Sequence, residues 1–338
     1  MRVLLLGGTR FVGLRLLRAL HDEGHQITIL NRGKREAELP EGIERLYADR
    51  RDGDAVRRAL TGREHDFDVV YDVTGYQATN LEPVVEMLGE HIRRYVFVSS
   101  FAVYTMPESF PVRESSPLVE VGEETGGLAA YGPDKVRCEN YLLGAFRTQG
   151  LPVTILRAAA MYGPENWMDD REGGYFARLV MGRKILVGGK GQSLVHLGHV
   201  DDFAAACLAA AECDAAVGEV LNATGAEAVS VNRLLDAAAD AVGVPAVKVY
   251  VPYGEGRETM DGIVPFDSER SVVNSIQKLR SLVGFEPRYD IRSGMAQTYD
   301  WWKEHRGVEG MRFEPGRLGH DVDLAREDEL IAKWDKAD

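Results

Sequence analysis

Three cysteines in 338 residues are too few and too scattered for a disulfide framework. Cys138, Cys207 and Cys213 form no metal-ligand spacing with one another or with the eight histidines, so no metal is expected. A chain of this kind suits a reducing compartment, and the expectation is cytoplasmic. Long apolar runs are missing too, since nothing approaches the ~20 residues a membrane span requires. The opening "MRVLLLGG" has too short an apolar stretch for a signal peptide and runs into glycines, as a strand entering a turn does. Positive charge is in deficit. Forty Lys and Arg against 53 Asp and Glu leave a net charge of −13, which disfavours non-specific binding to phosphate backbones; a local basic patch and RNA binding stay open. There are no internal repeats.

What is present is ordinary for a globular enzyme, with 45% hydrophobic and 28% charged residues. The length fits one large α/β domain, or one with a smaller lobe. Short β-rich runs alternate with helical stretches: "RVLLL" (2–6), "QITIL" (26–30), "DVVYDV" (68–73), "RYVFVSS" (94–100) and "VTIL" (153–156). That alternation predicts a doubly wound parallel sheet. Leu14, Leu16, Leu17 and Leu20 mark one apolar helix face between Val12 and Glu23, and Gly24 supplies the stop. Further helices are predicted at 200–212 and 230–243, the latter with Ser230 as N-cap. Residues 1–165 read mainly as a dinucleotide-binding domain and 166–303 mainly as a smaller substrate lobe, with the chain crossing between them. Residues 304–338 read as a charged arm. The stretch 105–130 is long enough for a functional or mobile loop.

"GGTRFVG" (7–13) follows a strand and precedes a helix, the context of a phosphate-cradling turn. Gly7 allows the tight turn, Gly13 lets the helix pack on the sheet, and Thr9, Arg10, Phe11 and Val12 lie between them. The helix N-terminus then faces a pyrophosphate. Arg10 stands where the middle glycine is usual. That is compatible with binding if its backbone stays extended or right-handed, with its guanidinium over the adenine ribose or paired with phosphate. The second strand ends in Asn31 and Arg32, with Lys34 and Arg35 behind. An NAD binder usually has a carboxylate there; an arginine favours NADP, and a solvated basic turn is the plainer reading.

"YGPDK" sets Tyr131 and Lys135 four residues apart on one helix face, and "FVSSFAVY" sets Ser99 and Ser100 at the carboxyl end of a strand. In this order after a glycine turn, they resemble the Ser–Tyr–Lys set of the short-chain dehydrogenases/reductases, in the extended branch that contains sugar epimerases and dehydratases. The resemblance assigns acid–base work to Tyr131, support of its phenolate to Lys135, and hydrogen bonding to the reacting oxygen to Ser100, with Ser99 a structural neighbour. A tyrosine near its ordinary pKa of about 10 is a poor acid or base at neutral pH, so a nearby ammonium is expected to lower it.

Other stretches extend the resemblance over residues 1–303. "ADRRD" (48–52) places Asp49 and Arg50 towards the cofactor, Asp49 at the adenine, and Thr74 and Gly75 fall near the nicotinamide ribose. "LRAAAMYGP" (156–164), "LGHVDD" (197–202) and "LVGFEP" (282–287) complete the match. What it implies is an NAD- or NADP-dependent epimerase of a sugar or nucleotide-sugar, a homodimer, with a substrate cleft lined by Ala160, Met161, His196, His199 and Arg270. A reductase of a small carbonyl compound is the close alternative. Ala160 and Val195 replace the Asn and Arg that usually hold a substrate phosphate; Arg178 and Lys184 are substitutes for them or solvated charges. "GGTRFVG", "FDVVYDVTG" and "LGHVDD" look like the chloroplast stem-loop-binding branch and its bacterial relatives, which puts RNA binding on the same fold as the third reading.

Overall fold

The computed structural model describes residues 1–35, 37–122, 130–168, 171–253, 270–311 and 324–335. Part of the 105–130 stretch (123–129) and parts of the 304–338 segment (312–323 and 336–338) lie outside these. The chain divides into two compact units. The first comprises Met1–Met161, Val200–Thr224 and Ser275–Glu286. It is built on β1 (Arg2–Leu6), β2 (Gln26–Asn31), β3 (Glu44–Tyr47), β4 (Val69–Asp72), β5 (Arg94–Ser100), β6 (Val153–Ala158) and a strand at Val220–Ala223. From one edge, the order is Val220–Ala223, β6, β5, β4, β1, β2, β3, with every pair parallel. Parallel strands are covered on both faces, which is why their apolar residues run unbroken; Val3, Leu4, Leu5 and Leu6 are all wholly buried. This is the Rossmann-type α/β fold expected from the alternating pattern. Its order reverses between β1 and β4, where ligands of such sheets bind.

Helices close both faces. One face carries α1 (Phe11–Asp22) and the helix Val200–Glu212, joined by an ion pair of 2.6 Å from Arg15 Nε to Asp201. The other carries α2 (Gly53–Leu60), α3 (Glu82–Leu88) and α4 (Tyr131–Gln149), whose Val56, Val84, Leu88 and Leu142 pack with Leu4, Leu6 and Phe97. Gly24 (φ 76°) and Gly150 (φ 74°) end α1 and α4 in the left-handed region that glycine enters without strain. Two strands escaped the sequence pattern. β3 is a short, largely exposed edge strand, and Val220–Ala223 carries a polar Asn222 in its middle. Among the described residues, no helix is long and apolar enough to cross a membrane.

The second unit comprises Tyr162–His199, Gly225–Asn274 and Pro287–Asp338. Strands Ile185–Gly188 and Lys248–Val251 pair in parallel, and Tyr175, Phe176, Leu234, Leu235, Met295 and Trp302 form the core. Ser230 caps its helix by accepting from Arg233 N at 3.2 Å. A helix at Leu324–Trp334 is fastened to this unit by charge. Arg178 donates to Glu327 at 2.9 Å, with both side chains sealed from solvent, while Arg183 and Lys184 pair with Asp328 and Asp335. Arg178 and Lys184, read from sequence as substrate contacts or solvated charges, thus bind the chain's own carboxylates. Breaking a buried pair strands a charge, at a cost of about 3–5 kcal/mol. Glu327→Ala is therefore expected to destabilise the second unit by that order in chemical denaturation, and Glu327→Gln by less; a loss under about 1 kcal/mol would contradict the buried pair.

Candidate active site

The glycine turn leaves β1 at the sheet's carboxyl edge. Gly7 (φ 122°) and Gly8 (φ 89°) both occupy backbone regions that side chains avoid. A Cβ on Gly7 would lie 2.7 Å from Val73 Cγ2 and 2.9 Å from Thr74 Cγ2, and one on Gly13 would lie 2.9 Å from Gly8 N. Sequence reasoning left out Gly8, although the double glycine was its signal. Arg10 is extended (φ −154°, ψ 144°), as binding requires, and its carbonyl accepts from Leu14 N at 3.1 Å. Phe11, next to it, holds a positive φ of 33°, an uncommon state for a bulky residue. The N-cap side chain makes no capping bond, and the first turn of α1 has no carboxylate. A helix start without its own anion, above a cradle that Cβ atoms would fill, fits a dinucleotide pyrophosphate.

At the end of β2, the Asn31 side chain accepts from Gly33 N at 2.8 Å, and Arg32 is exposed. Hydrogen bonds from Arg51 bring the Asp49 carboxyl down to about 2 against partial burial, and the nearby Arg32 charge adds to this. Arg50, expected at the cofactor, is instead buried in a bidentate pair with Asp72 at 2.6 and 2.9 Å. Thr74 donates from its hydroxyl to Leu6 O at 3.0 Å, which ties the turn after β4 to the end of β1.

Ser100 ends β5 and accepts from Ala102 N at 3.2 Å. Tyr131 opens α4 and is hydrogen-bonded to Ser100. That approach requires the glycine that follows, because a Cβ on Gly132 would fall 2.2 Å from Ala102 O. Burial pushes the Tyr131 hydroxyl above its ordinary range, and the Ser100 hydrogen bond only partly opposes this. Lys135 differs from expectation. Its ammonium turns inward, donating to Gly75 O at 2.8 Å and Val98 O at 2.7 Å over the rings of Phe97 and Tyr76. Burial lowers it to about 8, with Cys138, Asp72 and Glu139 acting the other way. The lysine therefore does not hold Tyr131 low in this geometry. Ser99 is structural: it donates to Glu139 at 2.5 Å, and Glu139 receives Arg157 at 2.7 and 3.0 Å. Arg157 also reaches Tyr104 at 2.7 Å, and Tyr104 donates to Asn222 at 2.6 Å.

Ser100, Tyr131, Lys135, Thr74 and Gly75 are thus brought into one neighbourhood. Ala160 is exposed and Met161 buried just beyond β6. His196, His199 and Arg270 belong to the second unit. His196 is held by backbone, Nε2 against Gly225 O at 2.9 Å and Nδ1 accepting from Asn274 N at 3.0 Å. His199 is buried, stacks on Tyr289 at 3.9 Å and meets Tyr162 edge-on. Arg270 is exposed.

Residues 3–224 match the model of the NAD dependent epimerase/dehydratase family. The chain belongs to that family. Among its relatives, the chloroplast stem-loop binding protein of 41 kDa b of Arabidopsis thaliana is 30% identical over 98% of this chain and 84% of its own. The 2'-dehydrokanamycin reductase of Streptomyces kanamyceticus is 26% identical over 97% of this chain and 88% of its own. The UDP-glucose 4-epimerase of Thermotoga maritima, solved with UDP-glucose, shares the fold with a TM-score of 0.73 at 20% identity, covering 90% of this chain and 99% of that one.

Two outcomes are expected from this geometry. Gly132→Ala must push α4 away from Ala102, so it should cut turnover at Tyr131 far more than it weakens cofactor binding, as steady-state kinetics beside cofactor titration will tell. Lys135 binds its proton more weakly folded than unfolded, so its contribution to stability rises as pH climbs from about 8 towards the unfolded value of about 10.4. In denaturant unfolding, the wild type should gain on Lys135→Met across that window; a constant difference would place the lysine in water.

Proposed function

We propose that this chain is an NAD(P)-dependent epimerase of a carbohydrate or nucleotide-sugar, with Tyr131 as its acid–base group. The hydrogen bond between Ser100 and the half-buried Tyr131, at the sheet edge where the glycine turn also emerges, is the observation that carries this reading. Gly7, Gly8 and the start of α1 would hold the pyrophosphate, with Arg10 and Arg32 on the ribose side and Thr74 and Gly75 on the nicotinamide side. When bound, the nicotinamide supplies a hydride acceptor and donor. Tyr131 takes the proton from the substrate hydroxyl and gives it back. Ser100 donates a hydrogen bond to the reacting oxygen, which favours the state in which that oxygen bears charge. Lys135 holds the Gly75 and Val98 carbonyls beside the site, a grip its ammonium keeps fully below about pH 8.

A second reading, an NADPH-dependent reductase of a small carbonyl compound, is favoured by the end of β2, where Asn31 and Arg32 stand instead of a carboxylate. A relative similar along most of the chain is itself named a reductase. Mass analysis of small molecules released from the purified protein separates the two. Retained NAD(H) supports the epimerase, whose cofactor is restored in each cycle; NADP(H), or tight NADPH binding by an empty protein, supports the reductase. On a UDP-sugar or carbonyl compound that the wild type converts, Tyr131→Phe is expected to lower turnover about 10²–10⁴-fold while cofactor binding holds. Unchanged turnover would refute both readings.

A further inference from the structure

Asp72 ends β4 wholly buried and gathers four donors. Two come from Arg50 at 2.6 and 2.9 Å, one from the Tyr95 hydroxyl at 2.7 Å and one from Thr74 N at 3.1 Å. Burial pushes this carboxyl up, but the charge and hydrogen bonds of Arg50, with the Tyr95 bond, bring it below its ordinary range, so it stays ionised. Arg50 continues outward, donating to Asn80 O at 2.6 Å and Thr74 Oγ1 at 3.3 Å, and Asn80 Nδ2 returns a bond to Arg50 O at 3.3 Å. One ion pair therefore fixes the path of the chain from residue 72 to residue 80.

Two groups of the site lie on that path. Thr74 sets its methyl 2.9 Å from where a Cβ of Gly7 would stand, and Gly75 offers the carbonyl that receives Lys135. Gly75 itself must lack a side chain, because a Cβ there would lie 2.9 Å from Phe97 and 3.0 Å from Asp72 Oδ2.

We propose that Asp72 and Arg50 are positioning residues of the acid–base centre: the pair holds the Thr74–Gly75 turn against the glycine turn and balances the charge that Lys135 meets. This deepens the reading of Tyr131 and Lys135 given above and rests on it. The groups facing Lys135 are Asp72 from β4, Glu139 and Cys138 from α4, the Phe97 ring from β5, and Arg50 and Tyr76 from the flanking turns. Glu139 is neutralised by Arg157, and burial holds the Cys138 thiol up at about 12, so it stays protonated. Asp72 and Arg50 cancel each other. Replacing Asp72 by Asn leaves the Arg50 cation uncompensated beside the lysine, which then gives up its proton at lower pH.

The test needs no substrate. In full-length protein with ¹³C-labelled lysine, the Lys135 resonance is titrated by NMR, and NADPH and NADH binding is followed by fluorescence. Asp72→Asn is expected to lower the lysine midpoint by about one pH unit and to weaken the tighter cofactor about tenfold. Arg50→Lys keeps the charge but loses the two-pronged grip, so it should weaken the cofactor while leaving the midpoint in place; it also serves if Asp72→Asn does not fold. A folded Asp72→Asn with midpoint and affinity unchanged overturns the proposal. So does an Arg50→Lys protein that binds as tightly as the wild type. Failure of the parent reading looks different: the wild type itself would bind neither cofactor.

Discussion

Seven parallel strands can be joined only by crossovers, so every loop leaving a strand's carboxyl end emerges on the same edge. That constraint orders the whole first unit. It brings the glycine turn after β1, the Thr74–Gly75 turn after β4 and Ser100 at the end of β5 to one border, although they are far apart in sequence. Tyr131 joins them because α4 starts where the chain returns from the excursion after β5. A parallel sheet is also dry on both faces, so polar groups at its edge either face a ligand or need partners within the protein. Asp72, Glu139 and Lys135 all follow the second course.

What was legible in the sequence was what is local or periodic. β1, β2, β4, β5 and β6 announce themselves because both of their faces are buried; β3, with three residues largely exposed, does not. The glycine turn, Ser100, Tyr131 and Lys135 were legible because their spacings are fixed by turn and helix geometry. Pairings between distant residues leave no such trace. Arg50 and Asp72 lie 22 residues apart, and Arg50 was read as a cofactor ligand because it sits in "ADRRD". Arg178 and Glu327 lie 149 apart. Nor could spacing tell that the Lys135 ammonium bonds to two carbonyls. An i,i+4 relation sets which helix face a side chain leaves from, not where its flexible end is captured.

The ionisation states follow from that capture. A lysine on two carbonyls in a dry interior loses part of its hold on a proton, and a half-buried tyrosine strengthens its own. The two titrations therefore move apart, the lysine falling to about 8 and the tyrosine rising above its ordinary range.

The ion pair between Arg178 and Glu327 has a consequence for biosynthesis. Chains emerge from the ribosome N-terminus first, so the interior of the second unit contains a guanidinium long before its carboxylate is made. Until the residues around Glu327 are out, water or a surrogate anion must solvate Arg178, and the hydrophobic core around Phe176 and Trp302 cannot close over it. Among the strands from β1 to β6, Arg50 meets Asp72 and Glu139 meets Arg157 within stretches of at most 22 residues, while the Arg94 guanidinium waits for a distant partner, Asp214. Synthesis thus delivers a nearly finished sheet before it delivers a unit able to seal.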